Sequence, residues 1–137
     1  DLVKVVLYLK APEIWNQVEA LSKANRTYML DTEQTILDFT HAEVAGWLAD
    51  AWHLPVVLRE PMLFHHQPAA AQTARVQTAI VHVADLLVKA MGCGQSGDDL
   101  VPALAPEAWA LVNLPDEVLA ECIEQAFMEF DTIDELL

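Results

Sequence analysis

The segment THAEVAGWLADAWHLPVVLREPMLFHHQP, residues 40–68, decides the fold class. Thr40 and Glu43 have the spacing of a capping box, in which each side chain satisfies the other residue's backbone N–H. A helix is therefore expected from His41 to about Trp52. His53-Leu54-Pro55 ends it, and Pro55 starts a second helix that runs to about His66. Pro61 falls inside this second helix and is expected to bend it, because its ring removes a hydrogen bond and crowds the preceding turn. Gln67-Pro68 is a break. Alternating β-branched residues are nearly absent, whereas Ala and Leu abound, so the prior moves to an all-helical protein.

The flanking sequence extends this pattern. Residues 1–9 are apolar on almost every side, as in a central helix. Pro12 suits the first position of a helix over APEIWNQVEALSKAN, with Ile14, Val18 and Leu21 on one face and Trp15 beside them. Asp31 and Gln34 form a second candidate capping box, before TILDF. Residues 69–91 are expected to form the longest helix, with Val76, Ile80, Val83 and Leu87 as its apolar stripe. Gly92 is its expected C-cap, and residues 92–105 form a loop. The loop has glycines but neither GKS nor GKT, which excludes a phosphate loop. Pro106 opens a short helix, PEAWALVN. Pro115 opens the last, with Val118, Leu119, Cys122, Ile123, Ala126 and Phe127 on its packing face. The expectation is one compact all-α domain over residues 1–137, with no sheet of consequence and with residues 106–137 as its C-terminal helices.

Composition narrows the function. The chain has 137 residues, of which 54% are hydrophobic and 20% charged, so it can bury a core and is not expected to be disordered. Its formal charge is -14, and residues 90–137 contain eleven acidic residues and no Lys or Arg. Such a chain repels a phosphate backbone, which argues against direct binding of nucleic acid. Cys93 and Cys122 make neither a disulfide framework nor a zinc motif. No apolar run approaches the length of a membrane span and no signal peptide is visible, which implies a cytoplasmic protein. The chain opens at Asp1 directly in apolar helical sequence. That opening suggests the interior of a larger protein, with an apolar face on the first helix that this chain leaves partly uncovered.

The residues able to carry chemistry are few. Asp1, His41, the pair His65-His66 and Asp85 are polar positions in apolar surroundings, and imidazoles with carboxylates suit iron, manganese or zinc. No HExxH or CxxC accompanies them, and plainer readings carry most of the weight. His41 suits a surface residue in a first turn or a partner of Glu43. His65 and His66 suit a helix end, where the dipole favours cationic His. Asp85 suits a buried acceptor for a helix N-terminus or a His, and His82 shares its face. Lys4 is expected to pair with a carboxylate. Trp15, Trp47, Trp52 and Trp109, with Cys122, suit the core.

Taken together, HAEVAGWLADAWHLPVVLREPMLFHHQP and the later AIVHVADLLVKAMGCG resemble the HDOD family, the HD-related output domain of bacterial signalling proteins. The resemblance rests on His41-Ala42-Glu43-Val44, Trp52-His53-Leu54-Pro55, His65-His66-Gln67-Pro68 and Ala84-Asp85. It is close over about residues 1–92 and weak over 106–125. DLVKVVLYLKAPEIW resembles the family's Asp-Ile-Gly-Lys-like helix, with Val3 where Gly is common. That places Asp1 at the aspartate of the His-Asp pair. Gly46, preceded by Ala45, is displaced from the family's usual glycine.

The resemblance implies a compact HD-like helical domain, incomplete at its N-terminus, within a superfamily of metal-dependent phosphohydrolases. It assigns Asp1 and Asp85 as candidate metal ligands, Lys4 as a phosphate neighbour, and His41, His65 and His66 as further ligands or proton-transfer groups. HDOD members are generally regarded as signalling scaffolds that have lost a complete site. The expectation is accordingly a non-catalytic output or regulatory module with a vestigial cavity formed by Asp1, Lys4, His41, His65, His66 and Asp85. No catalytic residue, cofactor or functional metal is expected. Its partners would be a signalling protein, a fused signalling domain, a small regulator or a second copy of the chain. The alternative is an HD-type phosphohydrolase or phosphodiesterase acting on a phosphate ester or nucleotide, with a divalent metal such as Mn or Fe.

Overall fold

The computed structural model describes residues 2–93, 97 and 100–134. All regular structure among these residues is helical: α1 (Leu2–Lys10), α2 (Pro12–Asn25), α3 (Met29–Leu37), α4 (His41–Ala51), α5 (Val56–Phe64), a 3-10 turn (Pro68–Ala70), α6 (Arg75–Met91), α7 (Pro106–Val112) and α8 (Asp116–Asp134). Among the described residues no helix is long and apolar enough to cross a membrane.

Packing follows chain order from α4 to α7, each helix lying against the next, and α1 packs on both α2 and α4. Trp15, Val18 and Met29 form a buried cluster that joins α2 to α3, with Leu7, Ile36 and Leu37 packed around it. Thr40 and Glu43 close the expected capping box: the Thr40 N–H donates to Glu43 Oε2 at 2.8 Å, and the Glu43 N–H to Thr40 Oγ1 at 3.2 Å. Gly46 lets α4 approach α5, since a Cβ there would lie 2.8 Å from Leu63 Cδ1. Gly92 caps α6 in the left-handed conformation, as expected.

Several expectations need correction. The Asp31–Gln34 box does not form. Helix α3 starts at Met29, after Tyr28 in an extended conformation, because Met29 is drawn fully into the core. The helix expected over 69–91 is broken, and α6 begins only at Arg75. The cause is Glu60 on α5, whose buried carboxylate accepts backbone N–H groups from Gln72, Thr73 and Ala74, the last at 2.6 Å. The longest helix is therefore α8.

The inner face of α6 is also not the expected stripe. Val76 and Ile80 are exposed, whereas Thr78, Ala79, His82, Val83 and Leu86 are buried. The polar members of that face are satisfied by hydrogen bonds, which offsets the cost of burying them. Thr78 donates to the carbonyl of Ala74, and His82 bonds at both ring nitrogens. The expected packing face of α8 is largely uncovered, with Val118, Cys122 and Phe127 exposed and only Leu119, Ile123 and Ala126 partly buried. Trp47 and Trp52 lie on the surface, while Trp15 is buried. On α1, Val5, Val6, Tyr8 and Leu9 are exposed, so this helix is not the central one that its composition suggested.

Candidate functional site: a buried imidazole cluster

The capping box at Thr40 places His41 at the first position of α4, where its ring turns inward and is buried. His65 and His66 follow the last residue of α5. The close packing of α4 on α5 brings the three rings together, with centroids 4.9 Å apart for His41 and His66, 5.7 Å for His41 and His65, and 4.1 Å for His65 and His66. One ligand atom from each of the three lies within 4.8 Å of the others.

Hydrogen bonds orient these rings. Glu33 on α3 is fully buried and accepts twice from His41, from its backbone N–H at 2.8 Å and from Nδ1–H at 2.6 Å. The lone pair of His41 is therefore on Nε2, which faces His66 Nε2 at 2.9 Å. His65 Nδ1–H donates to the carbonyl of Met62 at 3.0 Å, so its lone pair is also on Nε2. Behind the cluster, His82 Nδ1–H donates to the carbonyl of His65 at 2.7 Å, and its Nε2 accepts the N–H of Ala105 at 3.1 Å. His82 thereby ties the end of α5 to α6 and to the segment before α7.

Charge around the cluster is mixed. Burial lowers the pKa of His41, against the opposing effect of the Glu33 carboxylate. Burial pushes His65 down to about 4, with His41 adding to the effect and Asp85 opposing it. His66 is lowered to about 2 by burial, with His65, His41, Lys89 and Lys4 contributing further. The three rings are thus neutral at pH 7. Lys4 is buried on α1, and Lys89 bonds Asp85 at 2.8 Å one turn away on α6.

The expected residues consequently separate into groups. His41, His65 and His66 meet. Lys4 and Asp85 stand near enough to act on them electrostatically, but Asp85 is engaged by Lys89 rather than by a His or a helix N-terminus. Asp1 lies outside the described residues. Two plainer readings of His41 are corrected: it is not on the surface, and Glu43 is spent in the capping box, so that Glu33 is its partner.

Sequence reasoning passed over Glu33, Lys89 and the structural part of His82. A signal existed for Glu33, which shares a helical face with Met29 and Leu37, so that an acid sits on the inward side of α3. The fully buried Glu33 Oε1 has no hydrogen-bond partner among the described residues.

The donor chemistry fits a divalent ion of borderline softness. His41, His65 and His66, whose ligand atoms all lie within 4.8 Å of one another, are the residues that would hold such an ion. A carboxylate on the far nitrogen of a ligating His is the usual supporting contact, and Glu33 supplies it for His41.

Comparison with known proteins adds one finding: residues 1–68 match the family model of the HDOD domain. This match covers α1 to α5 and all three clustered histidines. No curated protein and no solved structure matches the chain.

Proposed function

From the premise that residues 1–68 belong to the HDOD domain family, an HD-related helical domain, we propose that the chain is a non-catalytic regulatory output module of bacterial signal transduction. It acts in the cytoplasm by contact with a signalling protein or a fused signalling domain. The observation that carries this reading is the state of the carboxylates around the cluster. Hydrolysis of a phosphate ester needs a group that holds or deprotonates the attacking water. Among the described residues, Asp85 is tied to Lys89 and Glu33 to His41, so neither of these two carboxylates is placed for that task. Val3, buried on α1 where a glycine is common in the family, supports the same reading by filling space next to Lys4.

The exposed apolar side chains of α4 and α5 support a role in contact. Trp47 on α4, Trp52 just after it, and Val57 and Leu58 on α5 lie on the surface where these two helices pack on each other, and exposed apolar groups of this size often mark interaction sites.

A second reading, an HD-type metal-dependent phosphohydrolase, is favoured by one observation, the convergence of three neutral imidazoles. The two readings are separated by assaying the chain on bis(p-nitrophenyl) phosphate with added Mn or Fe. The output-module reading predicts a rate equal to that of the buffer with metal alone. Turnover that Asp85→Asn abolishes would overturn it. The positive arm is Trp52→Asp combined with Leu58→Asp, which is expected to abolish signalling output in the cell while leaving the helical content unchanged.

A further inference from the structure

We propose that Glu33 is the positioning residue of the imidazole cluster: by accepting the Nδ1–H of His41 it aims the His41 Nε2 lone pair at His65 and His66 and so completes a three-imidazole site for a divalent transition-metal ion. The inference rests on the HD-related reading of the site but requires no turnover, so it stands or falls separately from the output-module proposal.

Three observations support it. First, the contact is specific. The same oxygen, Glu33 Oε2, accepts both the backbone N–H and the ring Nδ1–H of His41, at 2.8 and 2.6 Å. A carboxylate placed this way fixes the χ angles of the ring and its tautomer together. Second, His65 is held in the same tautomer by the carbonyl of Met62. Two of the three rings therefore present Nε2 lone pairs before any ion arrives, and only His66 has to change. In the metal-free chain His66 Nε2–H donates to His41 Nε2 across 2.9 Å. On binding, that proton leaves Nε2, Nδ1 carries the ring proton, and His66 stays neutral.

Third, the surroundings hold carboxylates as well as lysines. Lys4 and Lys89 both act on His41 and His66, whereas Glu33 opposes them at His41 and Asp85 lies close enough to act on His65 while bonding Lys89. His66 is only partly buried and gives the ion its route in, whereas His41 and His65 are closed off. A set of three neutral nitrogen donors selects Zn, Co or Ni over Mg or Ca, which prefer oxygen.

The test uses Co(II) and Zn(II) with the full chain, read by calorimetry and by the visible absorption of bound Co(II). The chain is expected to bind one ion, with a Co(II) spectrum of nitrogen coordination. Glu33→Gln is expected to weaken affinity by about 10- to 100-fold and to alter the Co(II) band. His66→Ala should abolish the band, and Glu121→Gln on α8 should change neither. Circular dichroism verifies that each variant is folded. If Glu33→Gln does not fold, nitrogen NMR of the Zn-loaded wild type decides, with a retained His41 Nδ1–H and a metal-shifted Nε2 as the expected result. Absence of stoichiometric binding, an unchanged affinity and band in Glu33→Gln, or metal on His41 Nδ1 would overturn the proposal.

Discussion

The middle of the molecule and its last helix invert the usual relation between polarity and burial. From α3 to α6 the interior holds Glu33, His41, Glu60, His65, Thr78 and His82, all buried. In α8, by contrast, Val118, Phe127 and Met128 face outward on a helix that makes little contact with the rest of the described residues. The difference lies in partners. Each of these residues in the middle has a specific donor or acceptor, supplied by a neighbouring element for Glu33, His41, Glu60 and His82 and by the preceding turn for His65 and Thr78. The exposed apolar side chains of α8 have the right period, but among the described residues little packs against them. Amphipathicity makes a helix possible, whereas burial depends on what the rest of the fold brings to it.

The largest expected effect tests this contrast at its centre. Glu33→Ala leaves the buried backbone N–H and Nδ1–H of His41 without their acceptor, and a buried donor left unsatisfied typically costs about 1–3 kcal/mol. Urea unfolding of the purified chain measures it. An effect below about 1 kcal/mol would mean that the buried polar network contributes little.

Acid exposes the same network by another route. The folded chain holds His41, His65 and His66 at depressed pKa values, so the unfolded chain binds more protons as the pH falls below the ordinary histidine value near 6.5. Stability is then greatest above that value and declines as the pH drops through the window towards about 4 for His65 and about 2 for His66. Each imidazole kept neutral in this window contributes a slope of about 1.4 kcal/mol per pH unit. Urea midpoints from pH 7.5 to 4.5 should fall steadily below pH 6.5, and the slope should shrink in His66→Ala.

Helix contacts give smaller effects. Gly46→Ala places a methyl 2.8 Å from Leu63 Cδ1 and is expected to cost about 1–3 kcal/mol by overpacking α4 against α5. Thr40→Ala removes one half of the capping box, for about 1 kcal/mol. At the other end of the comparison, Phe127→Ser on α8 should change stability by less than about 0.5 kcal/mol. A loss of 2 kcal/mol or more there would show that α8 packs more tightly than its exposure indicates.

Much of the helix order was legible because caps and prolines act locally. Thr40-Glu43, Pro12, Pro106 and Gly92 each mark an observed boundary. The convergence of His41 with His65 and His66 was legible through family resemblance alone, since nothing in a spacing of 24 residues states that two helices fold back on each other. What could not be read were features made by distant partners. Glu60 interrupts the chain at 72–74 by offering its carboxylate across more than ten residues. His82 is buried because the carbonyl of His65 and the N–H of Ala105 are there to meet it. Periodicity alone favoured Val76 and Ile80 for the inner face of α6, and the same reasoning placed Phe127 inside. Both failed because hydrophobic pattern carries no information about which face has a neighbour.

The account turns on three imidazoles that stay neutral, with His41 fixed by Glu33. Long-range nitrogen–proton NMR of the histidine rings, followed from pH 7.5 to 5.5, tests this most directly. The predicted result is a neutral His41 carrying its proton on Nδ1, with His65 and His66 also neutral throughout. A His41 protonated on Nε2 instead, or a cluster whose rings titrate near 6.5, would contradict it.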